Sequence, residues 1–163
     1  MGTTTMKRIA IAGAILLSSL VSLNTIAAEL SPEQQAANAV TTRQAVFKLL
    51  AFSNGVLGGM ARGAPFDAAA AIQATERVEM LAGMIPAVFA NDTTALAHGG
   101  ATTRASDTIW ATKADFDMLA ADLAAGAVAA RDILTAQGEA GVRDAVGAIG
   151  PKCGACHDRF RLE

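Results

Sequence analysis

The sequence predicts an all-α protein, an antiparallel up-down-up-down four-helix bundle. No segment alternates polar and apolar residues as a half-buried strand does, and long alanine-rich stretches repeat their apolar residues at helical period. Four such stretches of about 18 to 25 residues, most of them joined by short or moderate connections, suit that architecture.

Residues 1–28 precede the bundle. Lys7 and Arg8 give a positive start, residues 9–21 are apolar over the length of a signal peptide, and Ala27 and Ala28 offer a cleavage site before Glu29. The apolar run is short for a span of about 20 residues, so cleavage and export to the periplasm are expected rather than stable membrane insertion. The remainder, 29–163, has the size of one domain. Taking Lys7 and Arg8 from the 13 basic residues leaves 11 against 15 acidic ones, a net charge of −4. That balance favours neither nucleic acid nor an anionic membrane surface.

The first helix starts at SPEQQ: Ser31 is a good N-cap, Pro32 suits the first turn and Gln34 completes a capping box. It runs to about residue 57, where Gly58 and Gly59 are expected to end it. Val40, Phe47, Leu50 and Leu57 mark one face, and Val46, Leu49, Ser53 and Val56 an adjacent one. Two apolar faces imply two partners, the core and a second copy of the chain. The second helix, from about residue 67, is expected to bury Ile72, Val78, Leu81 and Ile85 and to stop at Pro86. After a polar loop over 90–108, the third starts near Thr112, with Asp115 completing a capping box. It carries Phe116, Leu119, Leu123, Ala127, Ala130 and Leu134 on one stripe, and Gly138 closes it.

The fourth helix carries PKCGACHDRF. Val142, Val146, Ile149, Cys153, Cys156 and Phe160 recur at alternating spacings of four and three, a core seam that turns both cysteines inward. Gly147, Gly150 and Pro151 interrupt it, so a kink or a restart at Pro151 is expected.

Three chemistries compete for CGACH. A thioredoxin-type dithiol sits at a helix N-terminus after a strand, and here there is no strand. A disulfide between i and i+3, although the exported setting would permit it, closes too small a loop to stabilise much. Zinc wants four ligands, and Cys153, Cys156 and His157 lie too close together, with His98 the only other histidine. Covalent haem accounts for every position: two cysteines on one helical face form thioethers to the vinyl groups, and the adjacent His157 meets the iron.

With these residues the chain resembles the cytochrome c′ family. The resemblance covers essentially all of 29–163 and is carried by TRQAVFKLL, GAPFDAAAAI, TRASDTIW and CGACHDRFR. It implies one haem c per chain, five-coordinate, with His157 the sole protein ligand of the iron. It also implies that Arg43 lies near a propionate with Gln44 beside it. Phe47, one turn on, caps the vacant face, Arg161 stands beside the histidine, and the loop around Arg104 passes the haem edge. The aromatic often found near the end of the second helix is missing from MIPAVFA, where Phe89 is the nearest ring.

On their residue chemistry alone, Arg43 also reads as a solvated helix-face charge, Phe47 as core, and Arg161 as a cation favoured by the helix C-terminus. Trp110 reads as core or cap packing and His98 as a solvated surface residue.

An open iron position behind an apolar lid suits NO and, more slowly, CO, and offers bound O₂ no hydrogen-bond donor. The alternative, a low-spin electron carrier, needs a methionine on the first helix. None occurs over 29–59; Met60 falls past the expected end, and Met80, Met84 and Met118 read as core. A peroxidase needs a distal acid–base pair that the residues around Phe47 do not supply. A homodimer through the first two helices, using Val46, Leu49 and Val56, completes the expectations. The redox partner is not legible.

Overall fold

The computed structural model describes residues 30–96, 98 and 100–163, so the expected signal at 1–28 lies outside the described residues. The elements are α1 (Pro32–Ala61), α2 (Ala68–Val88), a single turn α3 (Thr108–Ala111), α4 (Lys113–Gln137) and α5 (Val142–Phe160). A 3₁₀ turn, Gly138–Gly141, joins α4 to α5. The four long helices form the expected antiparallel bundle: α2 packs on α1 and α4, and α5 packs on α4 and, least closely of the neighbouring pairs, on α1. No helix among the described residues is long and apolar enough to cross a membrane.

The capping box of α1 is formed. Ser31 Oγ accepts the Gln34 N–H at 3.3 Å, and Gln34 Oε1 accepts the Ser31 N–H at 2.9 Å. Its buried residues make one stripe, not two: Ala36, Val40, Arg43, Val46, Leu50, Ser53 and Leu57. Val46 and Ser53 therefore belong to the core, and Phe47 stands at its margin, 36% exposed. Gly58 and Gly59 do not end the helix. A glycine lowers helix propensity by about 1 kcal/mol but stops nothing by itself. The chain turns only at Gly63, whose φ of 105° an L side chain rarely adopts. Met60 thus lies inside α1.

α2 passes through Pro86 and ends at Val88. The proline leaves the Ala82 carbonyl without its helical donor. The turn persists because Phe89, its C-cap, is buried in the core and donates to Ile85 O at 3.2 Å. Val78, Leu81 and Ile85 are buried as expected, and Ile72 only partly. Met80, Met84 and Met118 are not core: they are 60%, 45% and 55% exposed, off the buried stripes of α2 and α4.

Thr112 does not cap α4. Its hydroxyl donates back to Thr108 O at 2.9 Å, closing α3, and Asp115 pairs instead with Arg159 of α5 at 2.6 Å. Gly138 closes α4 as expected. α5 is continuous through Pro151 with no restart. The carbonyl the proline ring would crowd belongs to Gly147, which is exposed and free to tilt toward water.

α4 and α5 approach closely at Gly126, where a Cβ would lie 2.7 Å from the Ala148 carbonyl oxygen. Gly126→Ala should therefore destabilise the fold by about 1–3 kcal/mol through overpacking. Gly55, exposed on α1, has open space around it. Gly55→Ala should stabilise by about 0.5–1 kcal/mol by helix propensity. Thermal unfolding of the two variants checks the pair; shifts of the same sign would contradict the close α4–α5 contact.

Candidate functional site

Where α1 and α5 diverge they leave a cavity of about 690 Å³, backed by α2 and α4 and crossed at its mouth by the segment 102–105. All eight residues singled out from the sequence line it: Arg43, Gln44, Phe47, Arg104, Cys153, Cys156, His157 and Arg161. The α5 seam explains the second group. Ile149 and Phe160 are buried, and between them Cys153 and Cys156 turn the same way as free, half-buried thiols. Gly154 adds no side chain beside them and has open space at its Cβ position.

The mouth is held by main-chain ties. Gln44 Nε2 donates to Thr102 O at 2.7 Å, and Arg104 Nε donates to Leu162 O at 2.8 Å. Leu162 N–H returns to Arg104 O at 2.8 Å, and Ser106 N–H donates to Phe160 O at 2.9 Å. An isolated bridge between Ala105 and Arg161 completes this strap. Arg161 itself is exposed at the end of α5.

Arg43 is not a solvated charge. It is 3% exposed, its Nε donating to Val88 O at 2.9 Å, Nη1 to Thr93 Oγ1 at 2.9 Å and Nη2 to Asn91 O at 2.8 Å. The guanidinium carbon stands 4.7 Å from the Phe89 ring centroid and 5.0 Å from that of Trp110. Val88 O is one of the carbonyls that the end of α2 leaves without a helical donor, so the arginine caps the helix whose last turn Pro86 weakens. Burial lowers the Arg43 pKa and Asp92 opposes that, but a guanidinium stays charged in either case.

Phe89 is the centre of an aromatic row. Its centroid is 6.1 Å from that of Phe47, 6.0 Å from Trp110 and 4.9 Å from Phe116, which in turn stands 5.3 Å from Phe160. Trp110 packs and caps as expected, its Nε1 donating to Phe89 O at 3.1 Å. His98 is not a free surface residue: it is partly buried, with Nε2 2.8 Å from Thr93 O.

Burial pushes the Cys153 thiol pKa up. Cys156 is raised by burial and by Cys153, against the opposing pull of Arg159. His157 is lowered by burial and then by Arg161, with Asp158 opposing, so its ring favours the neutral form that can act as a ligand.

The sequence reading missed Asn54, whose side-chain oxygen is buried without a partner, and Lys48 and Lys152, which also line the cavity. Asn54 follows Phe47 by seven residues, two turns along the same face, and that spacing was the available signal. Thr93, the loop partner of Arg43, had no such signal. Among the described residues, no methionine, aspartate or glutamate lines the cavity, and His157 is its only histidine.

The family described as Cytochrome C′ matches residues 38–161. Cytochrome c′ of Rubrivivax gelatinosus is 36% identical over 133 residues, 78% of this chain and 97% of that protein. The structure of cytochrome c′ from Rhodopseudomonas palustris aligns with a TM-score of 0.68 and 31% identity over 77% of this chain and 96% of that one. The nitric oxide complex of a cytochrome c prime variant from Alcaligenes xylosoxidans aligns with a TM-score of 0.65 and 26% identity, covering 78% and 97% of the two chains.

Removing the Arg43 side chain strips the Val88 and Asn91 carbonyls, in partly buried contacts, of a charged donor. Arg43→Ala should therefore destabilise the protein by about 3 kcal/mol, an amount that does not vary across neutral pH because guanidinium does not titrate there. Denaturant unfolding at several pH values measures it. A loss below about 1 kcal/mol would mean the cage is not formed.

Proposed function

The chain belongs to the cytochrome c′ family, and from that premise we propose that it is an exported haem protein whose iron takes His157 as its one protein ligand and leaves a position open for NO and CO. Members of the family carry c-type haem and act as electron carriers or binders of small ligands. The observation that carries the finer reading is the composition of the cavity wall. Two free thiols and one imidazole face it from α5, and neither a methionine nor a second histidine does so among the described residues.

The residues fit the group. A c-type haem needs two thiols one helical turn apart, an adjoining imidazole, an apolar slot and a polar edge for its carboxylates. Cys153 and Cys156 would hold it through two thioethers and His157 would ligate the iron. The slot is walled by Leu50, Ile85, Leu119, Leu123 and Ile149, with Asn54 as its internal polar group. Haem bound there supplies an iron that changes oxidation state and accepts a diatomic ligand.

The remaining residues hold, orient and exclude. Gln44, Arg104 and Arg161 form the polar mouth and would meet the carboxylates. Arg43 has already committed three of its five N–H groups to its own chain, so at most two remain for a propionate. On α1, Phe47, Leu50 and Ala51 present no proton donor or acceptor side chain. These three side chains give bound O₂ nothing to hydrogen-bond, the internal amide of α1 being Asn54, two turns along the face from Phe47, whereas NO and CO need no such donor. The wall also lacks the acid–base pair a peroxidase requires, and a methionine-ligated electron carrier would need a sulfur that this wall does not contain.

Export would follow from the 1–28 segment, placing the mature chain in the periplasm. Assembly as a homodimer would use the apolar side chains left exposed on α1 and α2: Leu49 at 52%, Phe52 at 66%, Met80 at 60% and Met84 at 45%. Val46, expected on that face, is core and drops out, while Phe52 enters. Sedimentation at micromolar concentration should show a dimer that Phe52→Glu converts to monomer; a native protein that is monomeric there contradicts the reading.

Phe47 is the proposed lid of the open position. Flash photolysis of the ferrous CO complexes tests it. Phe47→Ala should speed CO association strongly, and equal rates would mean that Phe47 does not gate. Because the ring is 36% exposed, its loss should cost less than the about 3–5 kcal/mol of a fully buried phenylalanine.

A further inference from the structure

Phe47 and Arg43 are separated by four residues on α1, so their side chains emerge one turn apart on the same side of the helix. Both meet one ring. Phe47 sets its edge against Phe89 at 6.1 Å with 63° between the ring planes, and the Arg43 guanidinium lies 4.7 Å from the same ring's centroid. The guanidinium cannot drift, because three hydrogen bonds fix it to Val88, Asn91 and Thr93. Phe89 is equally confined: it is 2% exposed and pressed by Trp110 and Phe116 on its other sides. Among these rings Phe47 is the exposed one; Trp110 is partly buried, and Phe89 and Phe116 are buried. An incoming ligand can displace it only by breaking its contact with Phe89.

We propose that Arg43 is a positioning residue for ligand entry: by immobilising Phe89 it fixes the resting place of Phe47, and so sets how readily the cavity admits a diatomic ligand. The inference rests on Phe47 being the lid described above. A side chain whose task was to meet an anion would keep its N–H groups for that anion. This one is buried and spends three of them on the segment that carries Phe89. The fork geometry is what matters, since a lysine in its place could not reach three acceptors from one planar head.

The test is a double-mutant cycle on CO association to the ferrous holoprotein. Arg43→Gln should speed association by about threefold to tenfold, the range expected when one aromatic contact is released. In a Phe47→Ala background the same substitution should change nothing further. Equal acceleration in both backgrounds, or none in either, overturns the proposal while leaving the lid reading intact. Identical rates for Phe47→Ala and the native protein would instead remove the lid itself. Arg43→Lys should behave as Arg43→Gln; restored native rates would show that charge alone suffices, which overturns the fork argument. If the Arg43 variants do not fold, Phe89→Leu carries the cycle with Arg43 in place, and the same non-additivity with Phe47→Ala is required. A crystal structure of the ligand-free Arg43→Gln holoprotein gives a second readout: Phe47 should have left its edge contact with Phe89, and an unmoved ring overturns the proposal.

Discussion

The void between α1 and α5 is the constraint on which the rest of the structure depends. Protein interiors are packed as densely as organic crystals, and a closed void a third the size of this one would already cost about 5 kcal/mol at about 24 cal/mol per Å³. A small domain whose total stability is about 5–15 kcal/mol has little room for that. Elsewhere the bundle shows how tightly alanine and glycine let helices meet: Ala74, Ala82, Ala127, Ala130 and Ala145 are buried, and Gly126 brings α4 against the α5 backbone. The same composition does not close the gap beside α1. Apolar walls and two inward thiols suit the c-type haem that the cytochrome c′ family carries.

The two ends of that cavity are kept by different forces. At the mouth, the segment 102–106 is bound to Gln44 on one side and to residues 160–162 on the other by directional hydrogen bonds. Further in, a buried cation and a row of rings do the work. Arg43 replaces the donor missing at the end of α2 and holds Phe89, and Phe89 connects the α1 wall to Phe116 and Phe160. Charge and aromatic packing combine in that corner. A cation over two rings gains from both faces, and its desolvation is offset by three acceptors.

What could be read from the sequence follows from how local each feature is. The inward turn of Cys153 and Cys156 was legible because both sit on the α5 seam, which points them toward the cavity whatever the other helices do. The α1 cap was legible for the same reason, since Ser31 and Gln34 answer each other within one turn. Features settled by distant partners were not. Arg43 also read as a solvated charge because its acceptors lie 45 to 50 residues away, at the end of α2 and in the loop beyond it. Val46 and Phe47 are adjacent in sequence and point about 100° apart, so a small error in the helical phase exchanged core for margin. Pro86 was read as a stop because the local rule says so; tertiary burial of Phe89 and a borrowed donor from α1 overrode it.

The claim on which this account stands is that Cys153 and Cys156 hold one haem covalently in the cavity. Intact mass spectrometry after acid–acetone treatment, on protein exported by a cell able to attach c-type haem, tests it most directly. The account predicts a mature chain that is heavier by one haem than its sequence, with the colour staying in the protein fraction. A colourless chain of unmodified mass with a Cys153–Cys156 disulfide, or haem that leaves into the solvent, would contradict it.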